Sequence, residues 1–74
     1  MSNDYVVSID FVSGKNHLVE GDETNMYLLY QKVKDAINHN RSTVNINYGG
    51  VEFTIVVDKI VYIEIYNRDR YSSM

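Results

Sequence analysis

One stretch constrains this chain more than any other: residues 43–66, TVNINYGGVEFTIVVDKIVYIEIY. Strand side chains alternate between two faces, so Val44, Ile46 and Tyr48 point one way and Thr43, Asn45 and Asn47 the other. Folded about a two-residue Gly49-Gly50 turn, Tyr48 meets Val51, Ile46 meets Phe53 and Val44 meets Ile55. These six side chains share one face, with Asn45, Asn47, Glu52 and Thr54 on the other. A Gly-Gly pair accepts the positive φ angles that the favoured hairpin turns require. Register, turn chemistry and polarity all specify an antiparallel hairpin.

The strand that follows Asp58-Lys59 is less simple. If those two residues formed the whole turn, Ile60, Tyr62 and Glu64 would face the core, and burying a carboxylate is costly. A longer loop that turns Val61, Ile63 and Ile65 inward is therefore expected. Either way the strand carries apolar groups on both faces, a pattern that usually means cover on both sides. An unprotected apolar edge is also a pairing liability. A second copy of the chain is the simplest cover.

Upstream, residues 4–13 alternate cleanly, with Tyr5, Val7, Ile9 and Phe11 on one face and Val6, Ser8, Asp10 and Val12 on the other. Ser13-Gly14-Lys15-Asn16 is turn chemistry, and His17–Glu20 reads as a short return strand. Gly21-Asp22-Glu23-Thr24 then opens a helix over about residues 23–39, with Asp22 or Thr24 able to cap its first amides. Met26, Leu29, Tyr30, Val33, Ala36 and Ile37 form its apolar stripe, while Leu28 lies far round among Gln31, Lys32 and Asp35. Asn38-His39-Asn40 ends it, since Asn tolerates a left-handed terminus.

The fold class expected is α+β: a small antiparallel sheet with one helix packed on it, in the order ββαβββ. The expected core is Tyr5, Val7, Ile9, Phe11, Met26, Leu29, Val33, Ile37, Val44, Ile46, Phe53, Ile55, Ile63 and Ile65. Residues 1–66 form the domain, and the polar residues 67–74 are expected to fray.

At 74 residues there is room for one domain, and a domain of this size buries only about 60% of its unfolded surface. Cysteine is absent, so no disulfide or thiolate metal site supplements the core, and oligomerisation is a natural aid. A net charge of −3 disfavours a duplex nucleic-acid binder that works by neutralising phosphates. No apolar run approaches the roughly 20 residues of a membrane-spanning helix, and MSNDYVVSIDF lacks the pattern of a signal peptide. A cytoplasmic protein is expected, and the sequon-like Asn40-Arg41-Ser42 then carries no meaning.

Chemistry-bearing constellations are few. Asp10 and His17 have no nucleophile to complete a triad and read as polar positions flanking a hairpin. His39 reads as a surface residue near the helix's negative end. Gly49-Gly50 lacks the Lys and Ser/Thr of a phosphate loop. The acids Glu20, Asp22 and Glu23 lack calcium-loop spacing and suit a helix N-terminus. The expectation is no catalytic residue, no metal and no cofactor.

The remaining candidate is Tyr62, Tyr66, Arg68, Arg70 and Tyr71. Tyrosine rings stack on bases and guanidinium groups grip phosphates, and both residue types are equally favoured at protein contacts. Leu28, Ile60, Tyr62, Ile63 and Ile65 are the candidate self-interface.

The Asn- and Tyr-rich composition without Cys or Pro, with text such as VVDKIVYIEIYN, resembles the small accessory proteins of bacteriophages that infect low-GC bacteria. The spacing G-x-x-F-x-I-x-x-D-x-I-x-x-I-E from Gly50 to Glu64 is also similar to small flagellar-accessory and other β-rich bacterial proteins. The first resemblance implies a chain that acts in a host cytoplasm by sequestering a nucleotide signal or binding a host enzyme. The expected function is a non-enzymatic binding protein, homodimeric or higher, that captures a nucleotide-like anion or a host protein. A single-stranded nucleic-acid binder and a purely structural interaction protein are the alternatives.

Overall fold

A computed structural model describes residues 4–69. Its elements run β1 (Tyr5–Phe11), β2 (Asn16–Gly21), α1 (Glu23–Asn38), β3 (Thr43–Tyr48), β4 (Val51–Val56), a single 3-10 turn (Val57–Lys59) and β5 (Ile60–Asn67). The order is ββαβββ, an α+β fold. The strands do not form one sheet: β2-β1-β5 make one antiparallel sheet and β3-β4 a second.

The hairpin has the register its sequence dictates: Tyr48 opposes Val51, Ile46 opposes Phe53 and Val44 opposes Ile55. Gly49 (φ 63°) and Gly50 (φ 80°) both sit in the left-handed region that the tight turn demands. Thr54 Oγ1 donates to Asn45 Oδ1 at 2.5 Å on the polar face.

Helix α1 begins where the capping chemistry places it. The Asp22 carboxylate accepts from the Asn25 backbone N–H at 3.1 Å and from the Asn25 side chain at 2.7 Å. It ends in a Schellman arrangement around left-handed Asn40 (φ 55°), where Arg41 N–H reaches the Ala36 carbonyl and Asn40 N–H the Ile37 carbonyl. Met26, Leu29, Val33 and Ala36 are buried against Val7, Ile9, Val44, Ile46 and Ile55. Ile37, expected in the core, is 38% exposed: it sits in the last turn, and the buried stripe stops at Ala36.

The last strand resolves its two-faced sequence with a β-bulge. The register of β1 against β5 shifts between Asp10 and Phe11, so Asp10 opposes Tyr62 while Phe11 opposes Ile60, and Val61 is the extra residue. The expected inward placement of Val61 is therefore corrected; it is 60% exposed. The bulge lets Ile60 reach the core as well as Ile63 and Ile65, and keeps Glu64 off the core face.

Two of the contacts between the sheets set single side chains of the hairpin on β2. The Tyr48 hydroxyl lies directly against the Cα of buried Gly21, and the His17 ring packs on Phe53 with centroids 4.8 Å apart.

Candidate functional site

The helix and hairpin cover the inner face of the three-stranded sheet; its outer face carries the candidate site. Strand register arranges that face in rows across β2, β1 and β5: Asn16–Asp10–Tyr62, Leu18–Ser8–Glu64 and Glu20–Val6–Tyr66. Arg68 follows one step beyond, its backbone N–H donating to the Asp4 carbonyl at 2.6 Å. The structure thus brings Tyr62, Tyr66 and Arg68 to one surface. Arg70 and Tyr71 lie outside the described residues.

The polar groups of this face are engaged with one another. Arg68 Nη1 meets Glu20 Oε1 at 2.8 Å, a pair that spans β1 from strand to strand. The Tyr62 hydroxyl donates to Glu64 Oε1 at 3.2 Å, and Asn16 Nδ2 donates to Ser8 Oγ at 2.9 Å and Asp10 Oδ1 at 2.6 Å. Between them lie apolar groups: Val6 is only 2% exposed although it points outward, while Leu18 and Tyr62 are each about half exposed. The carboxylates of Asp10, Glu20 and Glu64 outnumber the guanidinium of Arg68. A face of this kind suits a mixed aromatic and polar contact better than a phosphate group.

Alternation along β1, β2 and β5 assigns each residue's face, but by itself it does not single out Val6, Leu18 and Glu20 as site residues. The missing information was the β1–β2 register, set by the four-residue loop 12–15 between Phe11 and Asn16. Of the candidate self-interface residues, Ile60, Ile63 and Ile65 pack partly buried against the chain's own core. Leu28, 64% exposed, stands on the helix, across the sheet from Tyr62. It borders a cleft of about 210 Å³ formed with Asn25, Leu29, Lys32, Ile46, Asn47 and Tyr48.

Other candidates separate. Asp10 points to the outer face, whereas His17 shares the inner face with its partner Ile9 and stacks on Phe53, so no acid–base pair forms. Glu20 is bound to Arg68. The Asp22 carboxyl is held below its ordinary range by the hydrogen bond from the Asn25 side chain, with the Asn25 backbone N–H adding to it. His39 Nδ1 lies 2.9 Å from the Asp35 carbonyl at the helix end. A more open groove of about 680 Å³ has Phe11, Val12, Ile55 and Val56 as apolar walls and Lys15 and Lys59 at its rim. Its two sides come from segments some forty residues apart, so periodicity along the chain gives no sign of it.

Comparison with family models, curated proteins and solved structures gives no match for this chain.

Proposed function

We propose that this chain is a non-enzymatic binding protein that works as a homo-oligomer and captures a protein partner on the outer face of its three-stranded sheet. The observation that carries this reading is the exposure of Leu18 and Tyr62 beside Tyr66 on a face whose own polar groups are already paired. Tyrosine and arginine among apolar residues, ringed by satisfied polar groups, is the composition of a protein contact. The resemblance to bacteriophage accessory proteins points to a host protein as the target.

Capture of a nucleotide-like anion is the second reading, favoured by Arg68 standing beside Tyr66. It must overcome the carboxylates of Glu20 and Glu64, and an incoming phosphate would have to displace the Arg68–Glu20 pair.

The test is affinity capture from the expression host, run beside native mass spectrometry of the same preparation. A defined partner retained by the wild type but lost in the variant Leu18→Glu/Tyr62→Ala, at unchanged thermal unfolding, supports the reading. Retention of that partner by both overturns it. A small adduct of constant mass that disappears in Arg68→Ala replaces it with the anion reading.

A further inference from the structure

We infer that two copies of this chain join by antiparallel pairing of β5 with β5 of the second copy, about a two-fold axis at Ile65. This rests on the homo-oligomer reading above and adds the edge, the register and the composite surface that result.

β5 is the longest strand, and among the described residues its second edge pairs with no other strand. It holds no Pro or Lys to block an approaching strand, and its one bulge lies at the start. The second edge of β2 is likewise unpaired among the described residues, but that strand is shorter, six residues against the eight of β5.

The hydrogen-bonding parity of the free edge follows from one bond. Arg68 N–H points toward β1, at the Asp4 carbonyl. Inward and outward groups alternate along an antiparallel strand, and the register against β1 is unbroken from Tyr62 to Asn67. Tyr66, Glu64 and Tyr62 therefore turn their backbone groups toward β1, while Ile63, Ile65 and Asn67 turn theirs to the open edge.

A two-fold axis at Ile65 uses all of the outward groups. Ile65 opposes Ile65 of the second copy, and Ile63 opposes its Asn67, for about six inter-chain hydrogen bonds. Glu64 then stands opposite a tyrosine hydroxyl (Tyr66 of the second copy), and Arg68 opposite the ring of Tyr62. Shifting the axis to Glu64 would set two carboxylates face to face, which is destabilising. Shifting it to Tyr66 would pair Ile63 with Asp69, beyond the end of the strand.

Directly opposed residues share a face, so the outer surfaces of the two sheets merge into one. The product is a continuous sheet in the order β2-β1-β5-β5-β1-β2. Its centre is lined by Tyr62, Glu64, Tyr66 and Arg68 from both copies, a surface that neither copy presents alone.

The chain has no cysteine, so introduced thiols report cleanly. Glu64→Cys and Tyr66→Cys chains are prepared separately, mixed, allowed to exchange and mildly oxidised, beside sedimentation of the wild type. The expected result is a disulfide-linked dimer in the mixture and in neither variant alone. A link in Glu64→Cys alone or Tyr66→Cys alone moves the axis and overturns the register. A wild-type dimer with no link in any sample overturns the β5 edge but leaves the homo-oligomer reading standing. A wild-type monomer overturns both.

Asn67→Pro provides a second route should a cysteine variant misfold. It removes an outward N–H, which an edge strand tolerates, and by symmetry deletes two inter-chain bonds. Dimer dissociation is expected to become easier by roughly tenfold or more. Unchanged dimerisation overturns the inference.

Discussion

Gly21→Ala tests how the two sheets are held together. Gly21 is buried on the inner face of β2, and its φ is not in the left-handed region, so the backbone there accepts alanine. Space is the constraint. A Cβ at this position overlaps the Tyr48 hydroxyl and comes within 2.9 Å of both Tyr48 Cζ and Met26 Cε. Overpacking of this kind costs roughly 1–3 kcal/mol. Against it stands a gain of about 0.4–1 kcal/mol, because alanine has less freedom to lose on folding than glycine. The net expectation is destabilisation, by up to about 2.6 kcal/mol. Each 1 kcal/mol lowers the Tm by roughly 4–8 °C in a domain of this size. Repeating the substitution in a Tyr48→Leu background removes both ring atoms from the clash and leaves room for the flexible end of Met26 to move. There the entropic gain wins, and Gly21→Ala is expected to stabilise. Urea unfolding of the four proteins measures the cycle. Equal costs in both backgrounds, with coupling below about 0.5 kcal/mol, would refute the reasoning.

The bulge in β5 predicts an asymmetry between neighbours: Val61→Lys, at an exposed extra residue, is expected to change stability by less than about 0.5 kcal/mol, while Ile63→Lys costs about 1–3 kcal/mol by chemical denaturation. Similar effects at both positions would mean that the alternation is not reset there. Asp22, whose folded-state pKa is depressed below 3.8 by Asn25, contributes its charged cap fully above that value and loses it as pH falls through the lower folded value. Helix content followed by circular dichroism from about pH 5 to pH 2 is therefore expected to fall less in Asp22→Asn, which keeps an acceptor oxygen without a charge, than in the wild type.

Local chemistry made most of the elements legible. Gly49-Gly50 and the alternation on either side specified a hairpin down to its residue pairs, because a tight turn has one favoured geometry and strand faces repeat every two residues. Asp22 or Thr24 and the run Asn38-His39-Asn40 marked the ends of α1, because capping satisfies backbone groups within a few residues of the cap, and the structure uses Asp22 and left-handed Asn40. Tyr62, Tyr66 and Arg68 were assigned to one neighbourhood by their spacing along a single strand, and the structure places them so.

What the sequence left open depended on which strand lies beside which. Asp58-Lys59 offered two inconsistent facings for β5, and the answer was a bulge, which arises from pairing with β1, a strand some fifty residues away. The packing of the β3-β4 hairpin against β2 brings the Tyr48 hydroxyl to the place a Cβ on Gly21 would take, a match between side-chain shape and an empty Cβ position. Alternation puts Val6 on the face opposite the core residues of β1, yet it is buried, because Tyr66 flanks it in the ladder and the Arg68–Glu20 pair crosses its strand. Turn types, caps and facing are set by forces that act over a few residues, and a single sequence records them. Register between distant strands and the fit of facing side chains come from contacts that exist only once the chain has closed on itself.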